Sequence, residues 1–150
     1  MDLFIAIFQG IIIASTPLVL AAVGELVVEK SGVLNLGVEG MMSIGAVTSF
    51  IVTYETGSHF LGLIDAVISA GLVASLFGLL TQYLLSNQVA TGLALTLFGL
   101  GLASLIGQTY SGISLDTFPV FDVYLLTEIP IIGSLLFNFD YLIYLSIYDS

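Results

Sequence analysis

Residues 24–45 read GELVVEKSGVLNLGVEGMMSIG (Gly24–Gly45), a charged, glycine-rich block set between two strongly apolar runs. Glu25, Glu29, Lys30 and Glu39 fall inside it, in a chain that is only 8% charged. Gly24, Gly32, Gly37, Gly40 and Gly45 are spaced too densely for a straight, well-formed helix. Charge and glycine joined directly to membrane-grade hydrophobicity predict broken or re-entrant backbone. Such backbone survives at membrane depth only where protein or a water-filled cavity surrounds it.

The rest of the composition agrees. Of 150 residues, 58% are hydrophobic, and the mean hydropathy is +1.16. Runs of this kind are long enough to span a bilayer, so membrane insertion organises the fold. The formal net charge is −10, with Lys30 the only basic side chain. Nucleic acid is excluded as a partner, because nothing is present to neutralise phosphates. The absence of cysteine excludes disulfides and thiolate metal sites. No phosphate-cradling G-x-x-x-x-G-K run occurs, so the chain does not bind ATP through a P-loop. The N-terminus carries Asp2 in place of the basic region of a signal peptide and reads as a retained first helix.

Four full spans are expected, at about Leu3–Val23, Met41–Tyr54, Leu61–Leu85 and Val89–Ile106. Pro17 lies inside the first, where it removes the bond to the Ile13 carbonyl and predicts a kink. Small residues recur along the third (Ala66, Ala70, Ala74, Gly78) and the fourth (Gly92, Thr96, Gly99, Ala103, Gly107). Such stripes let another backbone approach closely, and packing without any transport role is enough to explain them. Residues 108–140, punctuated by Gly, Pro and Asp, read as a structured loop with an interfacial segment. The apolar run from Phe139 to Tyr148 is too short to cross, so the chain reads as truncated in a fifth span.

Candidate chemistry concentrates in the opening block. Asn35 and Glu39 stand four apart and would share a face if residues 34–42 were helical. Two readings stay open: they face a polar pathway, or they tie down the free backbone groups of a broken helix. Glu25, Asn35, Glu39 and Asn87 are the expected polar wall residues. His59 reads as a solvated turn residue. No cofactor and no metal site are expected.

The run PLVLAAVGELVVEKSGVLNLGVEGMMSIGA (Pro17–Ala46) resembles the N-terminal signature of permease subunits of bacterial ABC importers. Nucleoside and simple-sugar permeases, relatives of the ribose and branched-chain amino-acid permeases, are the most similar group. NQVATGLALTLFGLGLASLIG (Asn87–Gly107) and IPIIG (Ile129–Gly133) resemble the same group. The resemblance implies a multi-pass protein of the bacterial inner membrane that forms a homo- or heterodimer with a second permease subunit. It implies cytoplasmic ABC ATPase subunits as the motor, so the chain itself is a transport subunit and not an enzyme. It also implies an extracytoplasmic substrate-binding lipoprotein or periplasmic protein that delivers the solute. Two features depart from the pattern. Such permeases are considerably longer, which makes these residues the N-terminal part of one permease domain. Basic residues usually precede the turn at Asn87, where this chain has Leu84-Leu85-Ser86.

The reading is therefore an all-α polytopic transmembrane helix bundle with a broken or re-entrant segment after the first span. Its expected function is passage of nucleosides or related small polar solutes through an ATP-driven importer. An ion-coupled secondary transporter or channel, using Glu25 and Glu39 as intramembrane carboxylates, is the alternative, and a non-transporting scaffold is a third class. Lys30 places the glycine-rich block on the cytoplasmic side and the acidic residues 108–140 outside. Single cysteines at Ser31 and Ser114 should therefore react with an impermeant maleimide from opposite sides. Equal labelling from outside would contradict the orientation.

Overall fold

The computed structural model describes residues 2–115, and among them every regular element is helical. The described residues fall into two units, residues 2–26 and residues 27–115. The expected loop beyond residue 115, the IPIIG stretch and the fifth apolar run lie outside the described residues.

Helix α1 (Asp2–Lys30) is longer than the expected first span. Gly24–Lys30 is helix, not broken backbone, because Glu, Leu and Lys are good helix formers and outweigh a single glycine. Lys30 sits in the last turn, where a cation meets the negative end of the helix dipole. The Ser31 hydroxyl donates to the Val28 carbonyl at 2.6 Å, and Gly32, at φ 81°, takes the left-handed turn that ends the helix. Pro17 lies within α1 without ending it. The hydroxyls of Ser15 and Thr16 both turn back onto the Ile12 carbonyl, each at 3.0 Å.

In the second unit the break is confined to Ser31–Gly37, after which α2 (Val38–Thr56) begins. Gly57, at φ 66°, closes α2 by donating its N–H to the Thr53 carbonyl. Ser58 then caps α3 (His59–Gly78) by accepting from the Leu61 N–H. His59 is half-buried in the first turn of α3, so it is not the fully solvated turn residue expected. The helix continues as a π-helical turn, Leu79–Tyr83, with the Leu84 N–H reaching back to the Leu79 carbonyl. Leu85, at φ 52°, makes the reversal into α4 (Gln88–Gly107), which a short 3₁₀ turn, Gln108–Tyr110, follows.

Helix α2 is the centre of this unit, with α3 antiparallel on one side and α4 parallel on the other. Gly45 lies against Ala66 and Ala70 of α3, and Gly62 of α3 lies against Ser49 and Thr53 of α2. A hydroxyl pair, Thr48 and Ser69 at 2.8 Å, bridges the same seam. On the other side Gly99 of α4 meets Gly40 backbone to backbone, and Gly107 meets Val47. Met41, Phe77 and Leu95 close the small core, with Val33 and Val73 packed against them. At the far end, Tyr54 and Tyr110 stack edge to face, and the Tyr110 hydroxyl donates to Glu55.

Among the described residues three stretches are long and apolar enough to cross a bilayer, Ile7–Lys30, His59–Tyr83 and Gln88–Tyr110. The expected second span, which lies within α2, is not among them. The reason is packing. Sheltered by α3 and α4, α2 can carry Thr48, Ser49 and Thr53 without showing them to lipid. The outer faces of α3 and α4 are apolar instead, with Val67 70% and Leu97 74% exposed. These side chains suit hydrocarbon, and the protein is a multi-pass membrane helix bundle.

A Cβ at Gly99 would lie 2.5 Å from the Gly40 Cα, whereas one at Gly101 would meet nothing within 4 Å. Gly99→Ala should therefore destabilise the detergent-solubilised protein by about 1–3 kcal/mol, the usual cost of overpacking. Gly101→Ala should leave the thermal midpoint unchanged or raise it slightly. Equal midpoints for the two variants would contradict the α2–α4 contact.

Candidate functional site

Ser31–Gly37 has no helix to satisfy its backbone, so each polar group there needs a partner. Three side chains supply them for Leu34, Leu36 and Gly37, and a fourth, Asn87, caps the neighbouring α4. Gln88 Oε1 accepts from the Leu34 N–H at 2.8 Å. Thr96 donates its hydroxyl to the Leu36 carbonyl at 2.7 Å. Asn35 Oδ1 accepts from the Gly37 N–H at 2.9 Å, a local turn that leads into α2. Asn87 caps α4 by accepting from the Ala90 N–H at 3.0 Å.

These bonds also set depth. Gln88 opens α4, and Thr96 lies eight residues further, about 12 Å along the axis at 1.5 Å per residue. Leu34 bonds at the first level and Leu36 at the second, so the segment runs inward beside α4. The backbones can lie this close because Gly92 has no side chain; a Cβ there would sit 2.8 Å from the Leu36 nitrogen. Helix α2 consequently starts part-way down α4 rather than at the membrane face. The segment is broken backbone that runs beside α4 and continues directly into α2.

The four expected wall residues fall in different settings. Asn35 is buried, and its amide also donates to Met41 Sδ at 3.7 Å. Glu39 is exposed in the first turn of α2, where a carboxylate meets the positive end of the helix dipole. The two do not share a helix face, because α2 begins only at Val38. Asn87 is exposed and serves as a cap. Glu25 is half-buried on α1, in the other unit.

Sequence reasoning passed over three residues. Gln88 and Thr96 form the long-range bonds of the segment; Thr96 stood out only as one of a row of small residues. The third is Asp65, in the second turn of α3, and its isolation in the apolar run LIDAVIS was the available signal. A carboxylate inside a span costs about 2.5–3.5 kcal/mol on insertion scales. A polar groove of about 540 Å³ also opens along the end of α4, lined by Ser104, Gln108, Ser111 and small residues. Among the described residues no group of three or more His, Cys, Asp or Glu could hold a metal ion.

Asn35→Ala would leave the Gly37 N–H unpaired and buried, a loss of about 1–3 kcal/mol. Thr96→Val would remove the bond to Leu36, worth about 0.6 kcal/mol and at most about 1.7 between membrane helices. Both variants should melt earlier in detergent, and Thr96→Ser should restore the wild-type midpoint. Because both bonds hold one segment, the double variant should lose less than the sum. Unchanged midpoints would contradict the bracing role.

Comparison with known proteins places this architecture. Over 142 residues the chain is 40% identical to a Haloferax volcanii protein that is provisionally named a glucose ABC transporter permease, covering 89% of this chain and 43% of that protein. Over another 142 residues it is 28% identical to the nucleoside ABC transporter permease protein of Lactococcus lactis, covering 88% and 45%. Over 136 residues it is 28% identical to the guanosine ABC transporter permease protein of Bacillus subtilis, covering 86% and 42%. The chain thus spans less than half the length of these relatives. No solved structure matches it. Residues 7–144, nearly the whole chain, match the family described as the permease component of the branched-chain amino acid transport system, and the chain belongs to that family.

Proposed function

We propose that these residues form the N-terminal part of one transmembrane permease domain in an ATP-driven importer of the bacterial inner membrane. The solute passed inward is a nucleoside or a related small polar molecule such as a simple sugar. Cytoplasmic ABC ATPase subunits hydrolyse ATP, an extracytoplasmic binding protein delivers the solute, and a second permease subunit completes the cavity. The observation that carries this reading is the likeness to sugar and nucleoside permeases across nearly the whole chain.

The geometry supports a wall rather than a self-sufficient channel. Asn35, Gln88 and Thr96 are engaged in holding the broken segment, and Asn87 in capping α4. Glu39 is the exposed member of the expected set on the inward-running side of α2, and the Ser104–Gln108–Ser111 groove offers hydroxyl and amide groups to a hydroxyl-rich solute. Glu25 remains a further candidate for the polar wall. Motion of the whole domain, driven elsewhere by ATP, would switch this wall between outward and inward access.

Uptake by the assembled transporter should require both ATP and the binding protein. Glu39→Gln, which removes the charge and keeps the hydrogen-bonding capacity, should retain most of that uptake. Uptake that persists without ATP and follows an imposed proton or sodium gradient would overturn the proposal in favour of an ion-coupled transporter. Loss of activity in a normally assembled Glu39→Gln variant would point the same way.

A further inference from the structure

Two sides of α2 are taken up by α3 and α4, and a third is open. Glu39, Ser43, Ala46, Phe50 and Tyr54 follow one another along it at helical spacing. Glu39, Ala46 and Tyr54 are exposed, and Ser43 and Phe50 are half-buried. A groove of about 470 Å³ runs between this face and the end of α4, lined by Ser43, Ala46, Val47, Phe50, Gly107 and Tyr110. At its far end the Tyr110 hydroxyl donates to Glu55 at 3.3 Å, and the Tyr110 ring meets Tyr54 edge to face at 5.8 Å.

The near end of the face lies deep in the bundle. Gly40, next to Glu39, packs against the backbone of Leu95, Thr96 and Gly99. Those residues sit mid-way along α4, which is itself long and apolar enough to span. Glu39 is therefore an exposed carboxylate near the middle of the membrane. Hydrocarbon is a costly surround for it, so water or polar groups must meet this face. Between its polar ends the groove is walled by Ala46, Val47 and Phe50. A mostly apolar wall with a few polar groups, enclosing some hundreds of Å³, is the usual make-up of a small-molecule site.

We infer that this groove is a hydrated binding station on the solute pathway, taking a ring that carries neighbouring hydroxyls. The inference rests on the permease reading above and adds to it a place and a set of contacts. The apolar face of the ring lies on Phe50. Its hydroxyls donate to the Glu55 carboxylate and to the Tyr110 oxygen, both of which can accept beyond the bond they share. Ribose and a pyranose sugar offer this same chemistry, and a nucleoside adds a base that can stack on an aromatic ring.

The test uses the full-length assembled transporter in lipid vesicles without ATP. Single cysteines are placed at Ala46, in the groove, and at Val67, on the outer face of α3. A small charged methanethiosulfonate is supplied on both sides of the membrane. The thiolate is the reactive form and hydrocarbon suppresses it, so Ala46→Cys should react about tenfold faster than Val67→Cys, or more. Uridine or glucose, in excess over its dissociation constant, should slow that reaction several-fold. Sorbitol, which has the hydroxyls but no ring, should not. Phe50→Ala should raise the concentration that gives half-protection about tenfold, the size of effect one stacked ring gives, and Phe50→Tyr should restore it. Glu55→Gln, at the exposed end of α2, should also weaken protection and carries the test if Phe50→Ala fails to assemble. Equal labelling of the two cysteines would overturn the inference, as would labelling of Ala46→Cys that neither uridine nor glucose slows, or that sorbitol slows equally. Labelling needs neither ATP nor uptake. An ion-coupled energy source would overturn the reading above and leave this result standing, whereas a dry groove would leave the ATP requirement untouched.

Discussion

The contact on which the rest of this structure depends is the approach of α2 to α4 at Gly40 and Gly99. The helices cross so closely that a Cβ on either glycine would fall within van der Waals distance of the other backbone. In a bilayer the hydrophobic effect does not drive one helix onto another, because lipid tails are as apolar as leucine. Packing and interhelical hydrogen bonds must do it. Removing side chains at Gly40, Gly92 and Gly99 brings backbone and short polar groups within reach, and only then can the Thr96 hydroxyl meet the Leu36 carbonyl.

That bond and its neighbours explain how a stretch without regular structure can run into the membrane region. Ser31–Gly37 exchanges helical hydrogen bonds for bonds to Gln88, Thr96 and its own Asn35. The same arrangement accounts for the character of α2. Enclosed between two more apolar helices, it tolerates hydroxyls on the α3 side, where Thr48 pairs with Ser69. A helix in the middle of a membrane bundle need not look like a membrane helix, and α2 does not.

Electrostatics sets a second constraint of a different kind. With a formal charge of −10 and one lysine, these 150 residues hold far more acidic groups than cations. Glu39 at the start of α2 meets the helix dipole, and Glu55 accepts from Tyr110.

Hydropathy alone was enough to establish an all-helical membrane protein, because spans of apolar residues have one workable solution in lipid. The glycine and charge pattern of Gly24–Gly45 was enough to locate the break after the first span, and the rows of small residues marked the faces that pack. The extent of the break was not legible. Gly24 and Glu25 proved to be helix, since local glycine density says where a helix can fail but not whether a tertiary partner exists for the freed backbone. Gln88 and Thr96 are that partner for Leu34 and Leu36, and residues 54 and 60 positions apart in the chain leave no periodic trace of their pairing. Asn35 and Glu39 were set on one face by assuming helix between them. The turn at Gly37 buries the first and exposes the second, an outcome that only the packing of α2 against α4 could decide.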